Sequence, residues 1–268
     1  MTPTVLITGA SQGIGKSTAL LFARRGYNTV IASRTASELN AVAKEIESLG
    51  GEVLAIPTDT RDRAAVETLV AKGIERFGQI DVLINNAGIC MSASMAQTSI
   101  EDWEKIINTN LWGYIYAIKA VLPQMLERKQ GSIINVGSFG GKVPMPNMTA
   151  YCTSKHAIVG LTETMRIELE PQGIHVSGVH PSVTKTDFLE RAVFRDKDPQ
   201  KEKQRRQDME KFIESPLASE SEDVAKAIWK AVKHSHGSIV VGSAKFPAFF
   251  HRLFPSMSKT ILQVATNL

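Results

Sequence analysis

The chain has 268 residues, of which 43% are hydrophobic and 22% are charged, so it is long enough to form one large domain with a sizeable core. Its 31 basic and 27 acidic residues give a net charge of +4, which is too balanced to indicate a nucleic-acid-binding protein. Two cysteines, Cys90 and Cys152, support neither a disulfide framework nor a cysteine-based metal site. The first residues lack the pattern of a signal peptide and no long apolar run suggests a membrane span, so we expect a soluble cytoplasmic protein.

Short β-rich runs alternate with longer helical patterns along the chain. The runs predict strands at Val5–Thr8, Thr29–Ala32, Val53–Pro57, Val82–Asn85, Ser132–Val136, His175–Val179 and Ser238–Val241. The segments between most of them predict helices such as Lys16–Arg25, Ala36–Leu49, Arg63–Phe77 and Tyr151–Glu170. Strands that are apolar throughout and separated by helices are typical of a parallel sheet that is covered on both faces, which places the chain in the α/β class.

The first predicted strand runs directly into a glycine-rich turn, TGASQGIG at 8–15, and a helical pattern follows. Glycines at Gly9, Gly13 and Gly15 allow a tight turn, close backbone approach to a pyrophosphate, and close packing of the helix on the strand. The helix N-terminus also presents backbone N–H groups and the positive end of a dipole to phosphates. Because the turn opens a strand–helix–strand unit, it predicts a dinucleotide site.

The end of the second predicted strand, Ala32-Ser-Arg-Thr35, bears on the choice of cofactor. A carboxylate at this place binds the adenosine ribose and repels a 2′-phosphate, whereas an arginine accommodates that phosphate. The chain has no acid at the strand tip, and Arg34 offers a planar cationic fork to phosphate. We therefore predict a preference for NADP(H), with NAD(H) as the open alternative.

Tyr151 and Lys155 lie four residues apart in the stretch AYCTSKHAIVGL. Residues with this spacing share one face of a helix, so the ammonium can lie beside the phenol. A neighbouring cation lowers the phenol pKa from about 10 toward the range in which proton transfer is efficient. Ser138, at the end of an apolar run upstream, could then hold a carbonyl or alcohol oxygen while Tyr151 gives or takes its proton.

In their order and spacing these motifs resemble the short-chain dehydrogenase/reductase family over roughly residues 3–242. The resemblance rests on TGASQGIG at 8–15, Asp59 after the third strand, NNAG at 85–88, Asn110, Ser138, Tyr151 with Lys155, and Pro181 with Thr186. It implies a doubly wound, Rossmann-type sheet of about seven parallel strands with helices on both faces, in a single domain over residues 1–245. It also implies a homodimer or a homotetramer.

The resemblance further implies catalytic roles. Tyr151 is general acid for carbonyl reduction and general base for alcohol oxidation, and Ser138 bonds the substrate oxygen. Lys155 orients the nicotinamide ribose, and Asn110 holds a water that links Lys155 to solvent. The alternative for Asn110 is that it bridges a distortion in its helix.

Cofactor contacts are implied in the same way. Asp59 would bond the adenine amine, the Asn86–Gly88 stretch would lie beneath the ribose, and the Pro181–Thr186 segment would contact the nicotinamide carboxamide. The implied set is Gly9, Ser11, Gln12, Gly13, Ile14, Gly15, Ser33, Arg34, Asp59, Thr60, Asn86, Ala87, Gly88, Tyr151, Lys155, Pro181, Val183 and Thr186. Two positions depart from the family pattern, since Gln12 stands where some members carry a basic residue and Ser182 replaces the usual glycine after the proline. Asparagines after a strand also commonly close a turn, so Asn86 can hold a structural role as well.

Two segments depart from the alternation of strands and helices. The first, residues 188–215, carries 15 charged residues in 28 and lies where this family builds its substrate lid, so we call it the lid. Its apolar residues are expected to pack downward or to close over the substrate and exclude water: Phe188, Leu189, Val193, Phe194, Met209, Phe212 and Ile213. The second, residues 246–268, is aromatic-rich and is called the tail. We expect it to pack on the domain or on a sister subunit, with a pocket rim and a membrane surface as alternatives.

The sequence therefore predicts an NADPH-dependent oxidoreductase that transfers a hydride between nicotinamide and a small-molecule carbonyl or alcohol, with a ketone, 3-oxoacyl or steroid-like substrate. The alternatives are an NAD-linked alcohol or hydroxysteroid dehydrogenase working in the oxidative direction and a non-catalytic dinucleotide-sensing or scaffold protein. His234 and His236 have no further ligands, so we predict no metal site. Cys152 follows Tyr151 directly but points about 100° away on a helix, which favours a packed small residue over a redox switch.

Overall fold

The computed structural model describes residues 2–234 and 237–265, without the side chains at 187, 188, 244, 245, 259 and 262–265. Its strands are β1 (Thr4–Thr8), β2 (Asn28–Ser33), β3 (Val53–Pro57), β4 (Val82–Asn85), β5 (Met91–Ala93), β6 (Gly131–Val136), β7 (Ile174–Pro181), β8 (Thr184–Lys185), β9 (Val193–Arg195), β10 (Ser219–Glu220) and β11 (Ser238–Val241). Its helices are α1 (Gly13–Arg24), α2 (Ala36–Ser48), α3 (Arg63–Phe77), α4 (Ile100–Ile107), α5 (Gly113–Arg128), α6 (Thr149–Leu169), α7 (Pro199–Glu214), α8 (Ser221–Lys233), α9 (Lys245–Leu253) and α10 (Pro255–Ala265). The seven predicted strands are all present, and their bounds lie within about two residues of the predicted ones.

Seven of the strands form one parallel sheet in the order β11-β7-β6-β4-β1-β2-β3. The chain winds outward from β1 in one direction to β3 and in the other direction to β11, so the strand order reverses between β1 and β4. In such doubly wound sheets, ligands bind in the crevice at the carboxyl ends of the strands beside this reversal. The doubly wound fold that the family resemblance implied is confirmed.

Helices cover both faces of the sheet, which explains why its strands are apolar throughout. Along β1, Val5 and Ile7 pack in one buried cluster with residues of α1, α2 and α8, whereas Leu6 packs in a second cluster with residues of α3, α5 and α6. All three side chains are fully buried. Because successive side chains of a strand point to opposite faces, a central strand in this fold needs apolar residues at every position.

Two additions extend beyond the carboxyl ends of the sheet strands. The lid forms β9, which pairs in parallel with β5, and then α7. The tail forms α9 and α10, two helices that contact each other. Among the residues described, no helix combines the length and the apolar character that crossing a membrane requires.

Candidate active site

The glycine-rich turn is closed from two sides by other loops. Gly9 and Gly13 have φ angles of 65° and 52°, in the left-handed region that glycine adopts without strain. A Cβ on Gly9 would lie 2.8 Å from the Ala87 Cα, and a Cβ on Gly13 would lie 3.0 Å from the Thr186 Cγ2. The turn is therefore held between the loop after β4 and the segment after β7, and larger residues at either glycine would push these loops away.

Asn86 fixes the same turn through hydrogen bonds. Its Nδ2 donates to the carbonyl oxygens of Thr8 and Gly9, at 3.0 Å each. The Thr8 hydroxyl in turn accepts hydrogen bonds from the backbone N–H groups of Asn86 and Ala87, at 3.1 Å each. The structural role expected for an asparagine after a strand is thus present at Asn86.

The start of α1 suits a phosphate group. Gln12 is the N-cap residue, and its side chain makes no capping hydrogen bond to the first turn. Ser11 is buried in the turn, and Ile14 and Gly15 lie in the first turn of the helix. The backbone N–H groups at the start of the helix are therefore not capped by the Gln12 side chain, and the turn is too tight for a Cβ at Gly9. Together these features form a cradle that fits the pyrophosphate of a dinucleotide.

The ends of β2 and β3 border the adjoining part of the crevice. Ser33 ends β2, and Arg34 lies exposed just beyond it. The Asp59 carboxylate, expected to bond adenine, is held by Arg61, whose Nε lies 3.0 Å from both oxygens. Arg61 holds the Asp59 pKa below its usual range, with a smaller contribution from Arg34. The adenine contact of Asp59 stays a prediction, as does that of Thr60, which packs beneath Gly113.

Tyr151 and Lys155 lie together on the first two turns of α6, as their spacing predicts. The Lys155 Nζ is 5.9 Å from the centroid of the Tyr151 ring and 5.7 Å from that of Tyr114. It donates a hydrogen bond of 3.1 Å to the Val136 carbonyl oxygen near the end of β6. Ser138 lies two residues after the end of β6, and its side chain makes a hydrogen bond with Tyr151. Three of the four predicted catalytic residues are therefore grouped around the phenol.

The predicted lowering of the Tyr151 pKa is wrong for this structure. Burial raises that pKa, the nearby thiols of Cys90 and Cys152 raise it further, and the hydrogen bond with Ser138 opposes them. Burial also lowers the pKa of Lys155 to about 8, so the cation expected to stabilise the phenolate is itself destabilised. The physical reason is that both groups are almost completely removed from water, which disfavours each charged form.

Asn110 lies in a π-helical turn, Asn108–Trp112, between α4 and α5. Its Oδ1 accepts from the Ile89 N–H at 2.8 Å, and its Nδ2 donates to the Ile89 carbonyl and to the Ser154 hydroxyl at 3.0 Å each. These bonds join the π-helical turn to the loop after β4 and to α6, and none of them runs across the distortion within the helix, so the bridging alternative stays a prediction. A Cβ on Gly88 would lie 3.3 Å from the Asn110 Oδ1 and 3.7 Å from the Lys155 Nζ, so Asn110 also lies close to the lysine. Its water-holding role stays a prediction.

The segment after β7 leads from the sheet to the glycine-rich turn. Pro181 ends β7 and is buried, and the carbonyl oxygen of Val183 accepts a hydrogen bond from the Ser219 N–H at 3.0 Å. The side chain of Ser182 lies against Gly242 just after β11, so the departure from glycine changes a contact at the sheet end. Thr186 then packs on Gly13, which places this segment over the cradle.

The lid covers Tyr151 with apolar side chains. One buried cluster contains Tyr151 and Cys152 together with Leu189 and Phe194 of the lid. Further members or close neighbours of that cluster are Cys90, Met145, Met148, Ala192, Met209 and Ile213. Of the other apolar lid residues, Val193 packs in a neighbouring cluster and Phe212 is 49% exposed, while the side chain of Phe188 lies outside those described. The apolar lid side chains that pack downward are therefore the same ones that cover the Tyr151 phenol.

Sequence reasoning missed two contributors to this site. Cys90 lies two residues after the NNAG motif, and burial raises the pKa of its thiol to about 12. His180 precedes Pro181, is 1% exposed, and has a pKa lowered to about 3 by burial, so it is neutral. Each could have been identified from the sequence by its position next to a recognised motif, since Cys90 follows NNAG and His180 precedes Pro181. His236, excluded above as a metal ligand, lies outside the described residues.

Comparisons with known proteins agree with this geometry. The family model described as short chain dehydrogenase matches residues 3–197. The 3-oxoacyl-[acyl-carrier-protein] reductase FabG of Thermotoga maritima is 38% identical over 186 residues, which cover 69% of this chain and 76% of that protein.

Two solved structures share the fold. A short-chain dehydrogenase/reductase of Burkholderia phymatum in complex with NAD has a TM-score of 0.83 at 24% identity and covers 96% of this chain and 92% of its own. An alcohol dehydrogenase of Thermococcus sibiricus, complexed with 5-hydroxy-NADP, has a TM-score of 0.77 at 25% identity and covers 91% and 97%. From its motifs, its sheet and these matches, the chain belongs to the short-chain dehydrogenase family of oxidoreductases.

Proposed function

We propose that the chain is an NADPH-dependent carbonyl reductase that acts on an apolar ketone or 3-oxoacyl compound. The observation that carries this proposal is the Tyr151 phenol, enclosed by apolar lid side chains, in hydrogen-bond contact with Ser138 and beside the Lys155 ammonium. A scaffold or sensor protein has no use for a proton donor in an enclosed apolar site. We therefore favour catalysis over dinucleotide sensing.

The raised pKa of Tyr151 supports reduction as the direction. A general acid must carry its proton when the substrate arrives, and burial keeps the phenol protonated at neutral pH. As negative charge develops on the carbonyl oxygen, a hydrogen bond from Ser138 stabilises it and Tyr151 donates its proton to it. Lys155 then stabilises the phenolate that remains, and the proton is replaced through the side on which Asn110 lies.

The dinucleotide cradle supports the part of the proposal that concerns hydride transfer from NADPH. The residues that would hold NADP(H) are the glycine-rich turn, Arg34, the Asn86–Gly88 stretch and the Pro181–Thr186 segment. The bound cofactor would supply the hydride to the carbonyl carbon, which is chemistry that protein side chains lack. Arg34 lies exposed at the tip of β2, where the stretch Ala32–Thr35 carries no acid, and this supports NADPH over NADH.

The walls around Tyr151 support an apolar substrate. Leu189, Phe194 and Met209 come from the lid, and Met145 and Met148 come from the segment before α6. Methionine side chains are flexible and polarizable, so this lining can adapt to acyl chains or ring systems of different shape. The relationship to FabG, named as a 3-oxoacyl-[acyl-carrier-protein] reductase, is consistent with a 3-oxoacyl substrate.

We extend the proposal to assembly as a homodimer or homotetramer. Ile100 on α4, Trp112 before α5 and Ile167 on α6 are 69%, 44% and 78% exposed. A second copy that covers these helices would bury large apolar side chains now facing water. Light scattering on the purified protein would measure the state directly, and a monomer at micromolar concentration would contradict this part.

Tyr151→Phe tests the function. We expect kcat for NADPH-dependent ketone reduction to fall about 10³-fold, because the general acid is removed, while NADPH affinity changes less than about twofold. The measurement is NADPH consumption against a panel from small diketones to 3-oxoacyl thioesters and steroid ketones, with NADPH binding followed separately by fluorescence. Tyr116→Phe, on the ring stacked against Trp112 outside the site, is the matched control. Full turnover by the Tyr151 variant, or no turnover by the wild type on any ketone, would contradict the proposal.

A further inference from the structure

Arg191 of the lid reaches across the cofactor crevice. Its Nη2 donates to the Gln12 Oε1 at 2.5 Å and to the Glu38 Oε2 at 2.8 Å. Gln12 caps α1 in the glycine-rich turn, and Glu38 lies in the first turn of α2, four residues after Arg34. Arg191 therefore spans the gap between the phosphate cradle and the first turn of α2, the helix that follows Arg34.

The bond to Glu38 is of a kind that a phosphate can displace. Both side chains are partly exposed, at 38% for Arg191 and 42% for Glu38, and exposed ion pairs contribute about 0–1 kcal/mol. A guanidinium carries five N–H donors, and the two bonds described both use Nη2. The planar fork matches a phosphate better than it matches one carboxylate oxygen and one amide oxygen, since phosphate accepts bidentate bonds.

We propose that Arg191 binds the 2′-phosphate of NADP(H), sharing it with Arg34. This inference rests on the function proposed above and deepens it by naming a second phosphate ligand. The glycine-rich turn itself carries the neutral Gln12, and the lid brings a cation to that very side chain. The charge needed for a phosphate is thus supplied from a segment 179 residues away in sequence.

The same contact connects the cofactor to lid closure. Leu189 and Ala192 flank Arg191 in sequence and pack in the cluster around Tyr151. Thr186, just before the lid, packs on Gly13 in the glycine-rich turn. A phosphate that holds Arg191 would therefore also hold the apolar side chains of the lid over the phenol.

Arg191→Met tests the assignment through the dissociation constants of NADPH and NADH, measured by fluorescence or calorimetry. A hydrogen bond to a charged group contributes about 1.5–3 kcal/mol, so we expect NADPH binding to weaken about 10- to 100-fold and NADH binding to change less than about twofold. Arg195→Met is the matched control, because Arg195 is another lid arginine and pairs with Asp102, 3.4 Å away, instead of the cradle. Equal losses for both cofactors would place Arg191 at the shared diphosphate and overturn the 2′-phosphate assignment, and no loss would overturn the inference altogether.

Glu38→Gln separates a phosphate ligand from a purely structural latch. If Glu38 competes with the phosphate for Arg191, removing its charge should tighten NADPH binding a few-fold. If the ion pair merely fastens the lid, the same change should weaken NADPH binding, which would count against the proposal. A wild-type protein that binds neither dinucleotide contradicts the proposed function itself, whereas wild-type binding that Arg191→Met leaves intact contradicts this inference alone.

A second and independent observation concerns the tail. Its two helices expose large apolar side chains, each at least half accessible to solvent: Phe246, Phe249, Leu253, Phe254, Met257 and Ile261. Phe246, Phe249 and Leu253 recur at the spacing of one face of α9. Packing against their own domain, one half of the expectation, is wrong for these side chains because they are exposed to solvent, whereas packing on a sister subunit is not tested.

The charge of this region indicates what covers that face. Residues 245–268, which include both tail helices, contain three cations, Lys245, Arg252 and Lys259, and no aspartate or glutamate. Two copies of so cationic a region repel each other, whereas an anionic lipid surface attracts it by about 1 kcal/mol per lysine or arginine near the surface. We infer that the tail docks on an anionic membrane surface, with its phenylalanines in the headgroup region.

Co-sedimentation with vesicles tests this docking. The full chain should bind vesicles of phosphatidylserine and phosphatidylcholine more strongly than vesicles of phosphatidylcholine alone, and high salt should weaken the binding. The double variant Phe246→Asp/Phe249→Asp should reduce binding at least about tenfold, since it places charge on the inserted face. Phe212→Asp, on the half-exposed phenylalanine of α7, is the control. No vesicle binding, with self-association that the double variant abolishes, would assign the face to a second copy and overturn the inference.

Discussion

The lid and the tail are both helical additions at the C-terminal side of the sheet, yet they turn their apolar residues in opposite directions. Leu189 and Phe194 of the lid are 6% and 3% exposed and lie over Tyr151. Phe246 and Phe249 of the tail are 74% and 61% exposed. Apolar content alone therefore does not separate a substrate cover from a docking surface.

Charge pairing explains part of the difference. The lid alternates acids and bases, and Arg205 pairs with Asp196 while Arg206 lies 4.6 Å from the centre of the Phe194 ring. These contacts tie α7 to the segment at β9, while the apolar side chains of the lid face Tyr151. The tail has cations without acids, so no ion pair within it can organise the segment in the same way.

Within this comparison, the largest effect that we expect comes from shortening a phenylalanine of the lid, with a phenylalanine of the tail as its counterpart. Phe194→Ala leaves a cavity in the cover over Tyr151, which weakens lid closure and admits water, so kcat/KM for ketone reduction should fall at least about tenfold. Phe249→Ala removes an exposed side chain and should change kcat/KM less than about twofold. Steady-state kinetics on both variants, with NADPH affinity measured in parallel, compares the two segments directly.

Equal losses in the two variants would remove the distinction between lid and tail. A loss confined to Phe249→Ala would reverse it and make the tail the substrate rim. Limited proteolysis supplies a second readout, because a loosened lid should be cut faster near Phe194 while the sheet stays resistant.

The sequence predicted the sheet and the grouping of catalytic residues because both depend on local patterns. Apolar runs bounded by turns mark the buried strands, and the spacing of Tyr151 and Lys155 is a property of one helix turn. The glycine turn was recognisable for the same reason, since its backbone requirements lie within eight consecutive residues.

Long-range contacts could not be read from such patterns. Arg191 meets Gln12 only because the segment after β7 crosses over the glycine-rich turn, and Cys90 meets Tyr151 only because the loop after β4 lies beside α6. The direction of the Tyr151 pKa shift was wrong for a related reason. The helix spacing gives the nearby cation, but the burial that outweighs it comes from a lid whose closure the sequence leaves open.

A smaller effect should appear in the pH dependence of the reaction. Burial lowers the Lys155 pKa from 10.5 to about 8, so Lys155 loses its charge as pH rises through about 8, and kcat/KM for reduction should decline there. Since the unfolded chain binds the extra proton between about pH 8 and 10.5, this group should also make the protein more stable as pH rises across that window. Tyr114, Tyr151, Cys90 and His180 are titratable groups near it, and burial keeps each of them neutral at pH 8.

The same profile in Phe194→Ala sharpens the contrast between the two segments. Water admitted beneath the lid restores part of the solvation of the Lys155 ammonium, so the decline in kcat/KM should move to higher pH, toward 10.5. Phe249→Ala leaves Lys155 as buried as before, so its decline should stay near pH 8. A profile that is flat to pH 10 in the wild type, or a shift of equal size in both variants, would show that the lid does not govern the titration of the active site.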